Sequence, residues 1–267
     1  MKKKALVWFI AMAFYSLVAL LAQRTRVELG NPAVPTGWAL AFLILFLASF
    51  NLRKRLSMIP LGSAATWLLL HVVGGILAVA LFWRHTGRIW PSGIYEQILG
   101  VFFYALTLSG IVGYIFQKIY PPRLTQSGLE IIYERIPAEL AQIREQAEKL
   151  VLQCTQETQS DTLAKHYLET LDWFFRRPRF HINHVLGGQK GVYWIQSKFG
   201  IVKKYLTEVE CRYLDQLVEL AVLKNKVDFH FIAQSLMKGW LLMHVPLTAG
   251  FLLLVLWHVL VVHVYAL

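Results

Sequence analysis

Sulfur is the scarcest resource in this chain. Only two of its 267 residues are cysteine, Cys154 and Cys211, and no Cys-x-x-Cys occurs. That removes a disulfide scaffold, an iron–sulfur cluster and a covalently attached c-type haem from consideration. Charge is also short: 16% of residues are Asp, Glu, Lys or Arg, against about 25% in an average soluble domain. No Gly-x-Gly-x-x-Gly segment or flavin fingerprint is present, so the chain has no means of taking electrons from a nucleotide by itself. What is abundant is apolar surface, 56% of the sequence, gathered in blocks. Such blocks exclude a disordered chain and a nucleic-acid binder built on the net charge of +11, and they indicate an integral membrane protein.

Five stretches approach the roughly 20 apolar residues that cross a bilayer core of about 30 Å. They run from Ala5 to Ala22, Trp38 to Phe50, Ala64 to Trp83, Ile98 to Phe116 and Gly239 to Leu267. Lys2, Lys3 and Lys4 precede the first, whose length reads as a retained anchor rather than a signal peptide. The positive-inside rule then sets orientation. Lys2 to Lys4 and Arg53, Lys54 and Arg55 outweigh Arg24 and Arg26 and the pair Arg84 and Arg88; Lys118, Arg123 and Lys238 flank the later spans on the same side. The expectation is a multi-pass protein of the cytoplasmic membrane, with a cytoplasmic amino terminus and an outer carboxyl terminus.

Between the fourth and fifth spans the composition becomes that of a soluble domain, with 17 Lys+Arg and 14 Asp+Glu from Gln117 to Lys238. Pro121-Pro122 is expected to stop the fourth helix. Glu139, Arg144, Glu145, Glu148 and Lys149 then interleave with Leu140, Ile143, Ala147, Leu150 and Val151 at helical spacing. A second helical tract covers Thr162 to Phe175. His181 to Gly200, rich in glycine, reads as a loop or turn region, and Val202 to Met237 as a helix running into the last span. The expected organisation is all-α: a membrane bundle of about five helices, spans one to four in 1–117, a helical cytoplasmic insertion in 118–238 and the fifth span in 239–267.

The chemistry lies in histidine. Five of nine His fall in or at the ends of spans, where ionisable groups are costly enough to mark function: His71, His85, His244, His258 and His263. His85 follows His71 by 14 residues, and His258 follows His244 by the same 14. Fourteen steps leave two side chains roughly 40° apart around a helix and about 21 Å apart along it. The third and fifth spans run the same way, and 244 − 71 equals 258 − 85, or 173. Two facing helices therefore offer two level pairs of imidazoles. One neutral imidazole on each side of an iron porphyrin is a common way to hold haem b.

The signatures His71-Val-Val-Gly-Gly…Trp-Arg-His85 and His244-Val-Pro-Leu-Thr…Trp-His258-Val-Leu-Val-Val-His263 resemble the dihaem b-type membrane cytochromes. The resemblance covers these two spans and the bundle around them, not the insertion. It implies two haem b groups, with His71 and His244 on the inner iron and His85 and His258 on the outer one. It also implies electron transfer across the bilayer as a subunit of a respiratory complex, with a c-type cytochrome or iron–sulfur protein as redox partner and quinone as a candidate ligand. The Pro-Glu-Trp-Tyr motif of the cytochrome bc quinol pocket is absent.

Around the pairs, Gly100, Gly110 and Gly113, with Gly74, Gly75 and Gly250, suit either haem packing or close helix packing. Arg84 and Arg88 are candidate propionate partners outside, and Arg53, Arg55 and Lys238 inside, where topology accounts for them equally well. Pro246 is expected to kink the last span. His263 points about 140° away from His258; it is an interfacial residue beside Tyr265, a proton or quinone contact, or a ligand to another haem at the outer surface. His181 and His184 read as surface residues. His230 lies 14 before His244, but Ser57 occupies the matching place below His71. The arginines 176, 177 and 179 suit lipid head groups, an acidic partner or plain solvation. Two rival readings stand beside the cytochrome: a transporter or channel with a proton or metal path, which calls for carboxylates in the spans, and a membrane anchor for a redox enzyme.

Overall fold

The computed structural model describes residues 2–51 and 62–265. Arg53, Lys54, Arg55 and Ser57 lie outside the described residues. Within them the chain is helical with no strand, and it divides into two compact units, Met1–Ile115 with Trp240–Leu267, and Phe116–Gly239.

The first unit is built from α1 (Lys2–Val27), α2 (Ala33–Ala48), α3 (Ala64–Thr86), the first part of α4 (Ile94–Gln126) and the last part of α10 (Glu208–Tyr265). α1, α3, α4 and α10 are long and apolar enough to cross a membrane. α2 is shorter at 16 residues, about 24 Å, and a 3-10 turn over Ser49–Asn51 extends it. The expected second span is thus helical but starts earlier, at Ala33. Local signals set the ends of α3: the Ser63 hydroxyl accepts the Thr66 N–H at 3.2 Å, and Gly87, at φ 65°, closes the helix in the left-handed conformation.

α2 packs closely on α3, and α1 on both. Gly74 permits the approach, since a Cβ there would stand 2.9 Å from Leu47 Cδ2. The core gathers Val18, Ile44, Leu81, Phe82, Phe103 and Phe251, with Phe82 and Phe103 stacked at 4.2 Å between centroids. On the outside the pattern is inverted: Phe9, Leu20, Phe42, Leu108 and Leu253 are each more than 60% exposed, a surface ill-suited to water.

Pro121 and Pro122 do not stop α4, which continues to Gln126. A proline φ is itself helical, so the two residues cost the helix two backbone hydrogen bonds without ending it there. α10 likewise runs through Pro246.

The second unit contains α5 (Ile136–Thr158), α6 (Thr162–His166), a π turn (Tyr167–Leu171), α7 (Asp172–Arg176), α8 (His181–Leu186), α9 (Lys190–Val202) and the start of α10. Ile136, Ile143, Ala147, Val151 and Cys154 form the buried stripe of α5, against Leu171, Phe174, Phe199, Leu217 and Ala221. The segment expected as a glycine-rich loop is instead two helices. Gly187, at φ 76°, supplies the turn between them, and Gly191 is buried because the Asn225 side chain occupies the space of its absent Cβ. Val202 does not lead directly into the long helix either. A 3-10 turn intervenes, and α10 starts at a capping box: Glu210 accepts the Thr207 N–H at 2.8 Å while Thr207 Oγ1 accepts the Glu210 N–H at 3.4 Å.

A fully buried ion pair lies in this core. Lys224 Nζ meets Asp228 Oδ2 at 2.6 Å, donates to the Arg177 carbonyl at 2.7 Å and sits 4.2 Å from the Phe174 ring centroid. The Arg179 N–H donates to the same carboxylate at 3.0 Å. Burial pushes the Asp228 carboxyl above its usual range, and the Lys224 ammonium opposes the shift. Replacing Lys224 by Met strands a buried carboxylate, so denaturant unfolding of the full chain is expected to show a loss of about 3–5 kcal/mol. Lys203→Met, which breaks the exposed pair with Asp215, should stay within about 1 kcal/mol.

His184, expected at the surface, is 7% exposed. Burial first, then the positive charges of Lys224 and His181, lower its pKa from 6.5 to about 4. The unfolded chain therefore takes up this proton more readily than the folded one. The stabilisation is complete above 6.5 and is lost as pH falls through about 4. Unfolding measured from pH 8 downward should show roughly 3 kcal/mol of acid-dependent loss from this residue, and His184→Leu should remove that part of the slope. An unchanged slope would overturn the assignment.

Candidate functional site

The two His-bearing helices of the first unit do not form a close-packed pair; their imidazoles approach each other instead. His85 on α3 and His258 on α10 have ring centroids 6.3 Å apart with the planes at 90°. The position of each ring is set by its neighbours. His85 Nδ1 lies 3.1 Å from the Ala33 carbonyl and 3.3 Å from Thr36 Oγ1, both on α2. A carbonyl only accepts, so Nδ1 carries the proton and Nε2 keeps its lone pair. Gly37, one residue further on, leaves room for the ring, as a Cβ there would stand 2.8 Å from His85 Cε1. His258 stacks on Tyr95 at 6.0 Å, and the Tyr95 hydroxyl donates to the Leu254 carbonyl at 2.9 Å.

Both rings line a cavity of about 710 Å³ between α2, α3, α4 and α10. Its wall is mainly apolar, with Leu40, Ile44, Phe82, Leu99, Phe251 and Val255 among its residues. This size and lining suit a cofactor or another large apolar ligand. Arg88, Glu96 and His263 also face it. His263 packs edge-on against Trp38, 5.7 Å between centroids, rather than against His258. Glu96 belongs to the first turn of α4 and lies within electrostatic range of His258.

The other pair lies 14 residues earlier on each helix. It comprises His71 on α3 and His244 on α10. His244 Nδ1 is 3.0 Å from Ser109 Oγ on α4, and its ring stacks on Trp240 at 5.1 Å. The Trp240 indole donates to the Ser109 carbonyl at 2.8 Å, so one residue of α4 holds both rings. His71 packs against Phe50 at 5.0 Å. Its buried Nδ1, beside the Leu47 carbonyl, makes no hydrogen bond of ordinary geometry.

The flanking residues divide. Gly113 accommodates the Trp240 indole, which a Cβ would strike, and so bears on the His244 site through that ring. Gly100 packs on Pro91, and Gly250 on Phe102. Gly75 and Gly110 have open space around them. Arg84 reaches the Ala19 carbonyl at 3.2 Å on α1, whereas Arg88 lines the cavity. In the second unit His230 is buried, with Nε2 2.7 Å from Ser127 Oγ. Arg176 is engaged by Asp172 at 2.6 Å, and Arg179 lies over Trp173. Among the described residues no three His, Cys, Asp or Glu converge as a metal-ion cage; the imidazoles come in twos.

The supporting contacts of Thr36, Gly37, Tyr95, Ser109 and Trp240 were missed by sequence reasoning. Periodicity shows which residues share a helix face, but not which neighbouring helix supplies a carbonyl or hydroxyl. The chain matches no known protein family, no curated protein and no solved structure. Gly37→Val is expected to force the His85 ring aside and lower thermal stability in detergent by about 1–3 kcal/mol. Gly75→Ala, into open space, should change it by no more than about 0.5 kcal/mol.

Proposed function

We propose that this chain is a multi-pass membrane cytochrome that carries electrons across the bilayer through two haem b groups, one held by His85 and His258 and the other by His71 and His244. The observation that carries this reading is the His85–His258 pair on the wall of the 710 Å³ apolar cavity. Their 6.3 Å separation is near that expected for one metal ion between two imidazoles, with each nitrogen about 2 Å away. The donor set suits the group: the Nδ1 of His85 is held by a carbonyl, which leaves its Nε2 as the ligating atom, and the Nδ1 of His244 is oriented by the Ser109 hydroxyl. Bound haem supplies a one-electron centre whose potential the axial ligands and the surrounding dielectric tune.

The protein's contribution is then positional. Ala33 and Thr36 hold the His85 ring, Ser109 and Trp240 hold that of His244, and the apolar wall excludes water. Arg88, on the wall of the same cavity, would meet a propionate. The apolar exposed faces of α1, α2, α4 and α10 support insertion in a bilayer, with the amino terminus and the 118–238 segment on the cytoplasmic side and the carboxyl terminus outside. With no nucleotide or cluster motif of its own, the chain fits one subunit of a larger oxidoreductase complex. Its donors and acceptors would be quinone and a c-type cytochrome or iron–sulfur subunit.

A second reading draws on Glu96. A carboxylate facing the same cavity as His85, His258 and His263 is what a proton- or metal-conducting path requires. The absorption spectrum of the purified protein separates the two. The expected result is a reducible b-type band equivalent to two haems per chain. His85→Ala with His258→Ala should remove about half of it, and His71→Ala with His244→Ala the other half. Absence of the band, or its survival intact in both double variants, would overturn the cytochrome reading.

A further inference from the structure

We propose that the groove between α5 and α7 binds a small carboxylate with an apolar body, clamped by Arg144 and Arg176 and completed by the Tyr167 hydroxyl. All of its residues belong to the second unit. The groove has a volume of about 460 Å³, within the range of small-molecule sites. Pro137, Leu140, Ala141 and Phe175 supply its apolar wall, and Arg144, Glu145, Glu148 and Arg176 its charges.

Two ion pairs, each between residues four apart, aim the guanidiniums. On α5, Glu148 Oε1 holds Arg144 Nε at 2.8 Å; on α7, Asp172 Oδ2 holds Arg176 Nε at 2.6 Å. Asp172 Oδ1 stands 4.0 Å from Arg144 Nη2 and ties the two pairs together. Each carboxylate thus takes the inner nitrogen of its arginine. Arg144 Nη1 and both terminal nitrogens of Arg176 keep no protein partner, and the two side chains are 42% and 59% exposed. Forks of this kind match a planar carboxylate. With Glu145, Glu148 and Asp172 also at the site, a phosphate dianion meets more repulsion than a singly charged carboxylate.

Tyr167 is the second observation. It is 3% exposed, opens the π turn that precedes α7, and stacks on Phe175 of the groove wall at 5.9 Å between centroids. Its buried hydroxyl has no hydrogen-bond partner and lies within electrostatic range of Glu148, Asp172, Arg144 and Arg176. Burial first, then Glu148 and Asp172, hold the phenol above its ordinary range, so the hydroxyl keeps its proton and is a donor without an acceptor. A buried donor left unpaired destabilises a fold. A ligand carboxylate between the arginines supplies the missing acceptor, while its apolar body lies on Leu140 and Phe175.

The test uses the full chain in detergent, with phenylacetate as the probe and phenylacetamide as its uncharged counterpart. Phenylglyoxal modifies exposed arginines, and peptide-resolved mass spectrometry reads the rate at Arg144 and Arg176, with the exposed Arg212 as reference. Phenylacetate is expected to slow modification of Arg144 and Arg176 about tenfold, half-protecting at about 1–10 mM, and to leave Arg212 unchanged. Phenylacetamide should protect neither. Tyr167→Phe is expected to raise the half-protecting concentration about tenfold. The same variant without ligand should unfold at an equal or higher denaturant concentration, because it loses an unpaired hydroxyl. Equal protection by the acid and the amide, or no protection by either, would overturn the proposal. So would an unchanged half-protecting concentration in Tyr167→Phe, or a ligand-free variant that unfolds at lower denaturant, since the hydroxyl would then already have a partner.

Discussion

An imidazole inside an apolar bundle must find a partner for each nitrogen or leave one orphaned, and the first unit is arranged around that constraint. His85 meets it through the Ala33 carbonyl, and His244 through Ser109. Each of these bonds fixes a ring orientation and ties the His-bearing helix to a neighbour: α3 to α2, and α10 to α4. Gly37 and Gly113 belong to the same arrangement, because each clears room for a ring, His85 in one case and the Trp240 support of His244 in the other. Removing the His244 imidazole would take from the Ser109 hydroxyl its side-chain partner, whereas Thr36 would still donate to the Pro32 and Ala33 carbonyls.

The second unit meets the same constraint differently. Its buried charges are paired internally: Lys224 with Asp228 and the Arg177 carbonyl, and Asp228 with the Arg179 N–H. This network holds the chain leading into α8 against α10 through backbone groups of Arg177 and Arg179, while the guanidiniums of Arg176 and Arg179 are engaged by Asp172 and the Trp173 carbonyl. The cations left over lie toward α8 and α9, and there the apolar side chains Ile182 and Leu186 are also unpartnered. The charge bookkeeping of the insertion, only +3 overall from 17 Lys+Arg and 14 Asp+Glu, thus conceals an uneven distribution.

Glycine and proline misled where they were read as breaks. Pro121-Pro122 lies within α4, because a helical φ is compatible with the ring, and the helix runs on past the two lost donors to Gln126. The glycines after His181 mark a turn and a close packing site rather than a loop, and Gly191 is decided by Asn225, which stands 34 positions away in the chain. The Thr207 to Glu210 capping box is a start signal that the reading of Val202 to Met237 as one helix overlooked, and with it the break before the long helix.

What sequence determined by itself is whatever follows from composition and period. Apolar blocks near the length of a bilayer core gave rise to the long apolar helices. Two equal spacings of 14 set His71 and His85 the same distance apart on one helix as His244 and His258 on the other, and on nearly one face, since rise and rotation per residue are fixed by the backbone. Tertiary structure alone decided which rings meet, which nitrogen of His85 is committed to a carbonyl, that Glu96 faces the same cavity, and that His184 is buried. Those outcomes depend on contacts between residues tens to hundreds of positions apart, and no local pattern encodes them.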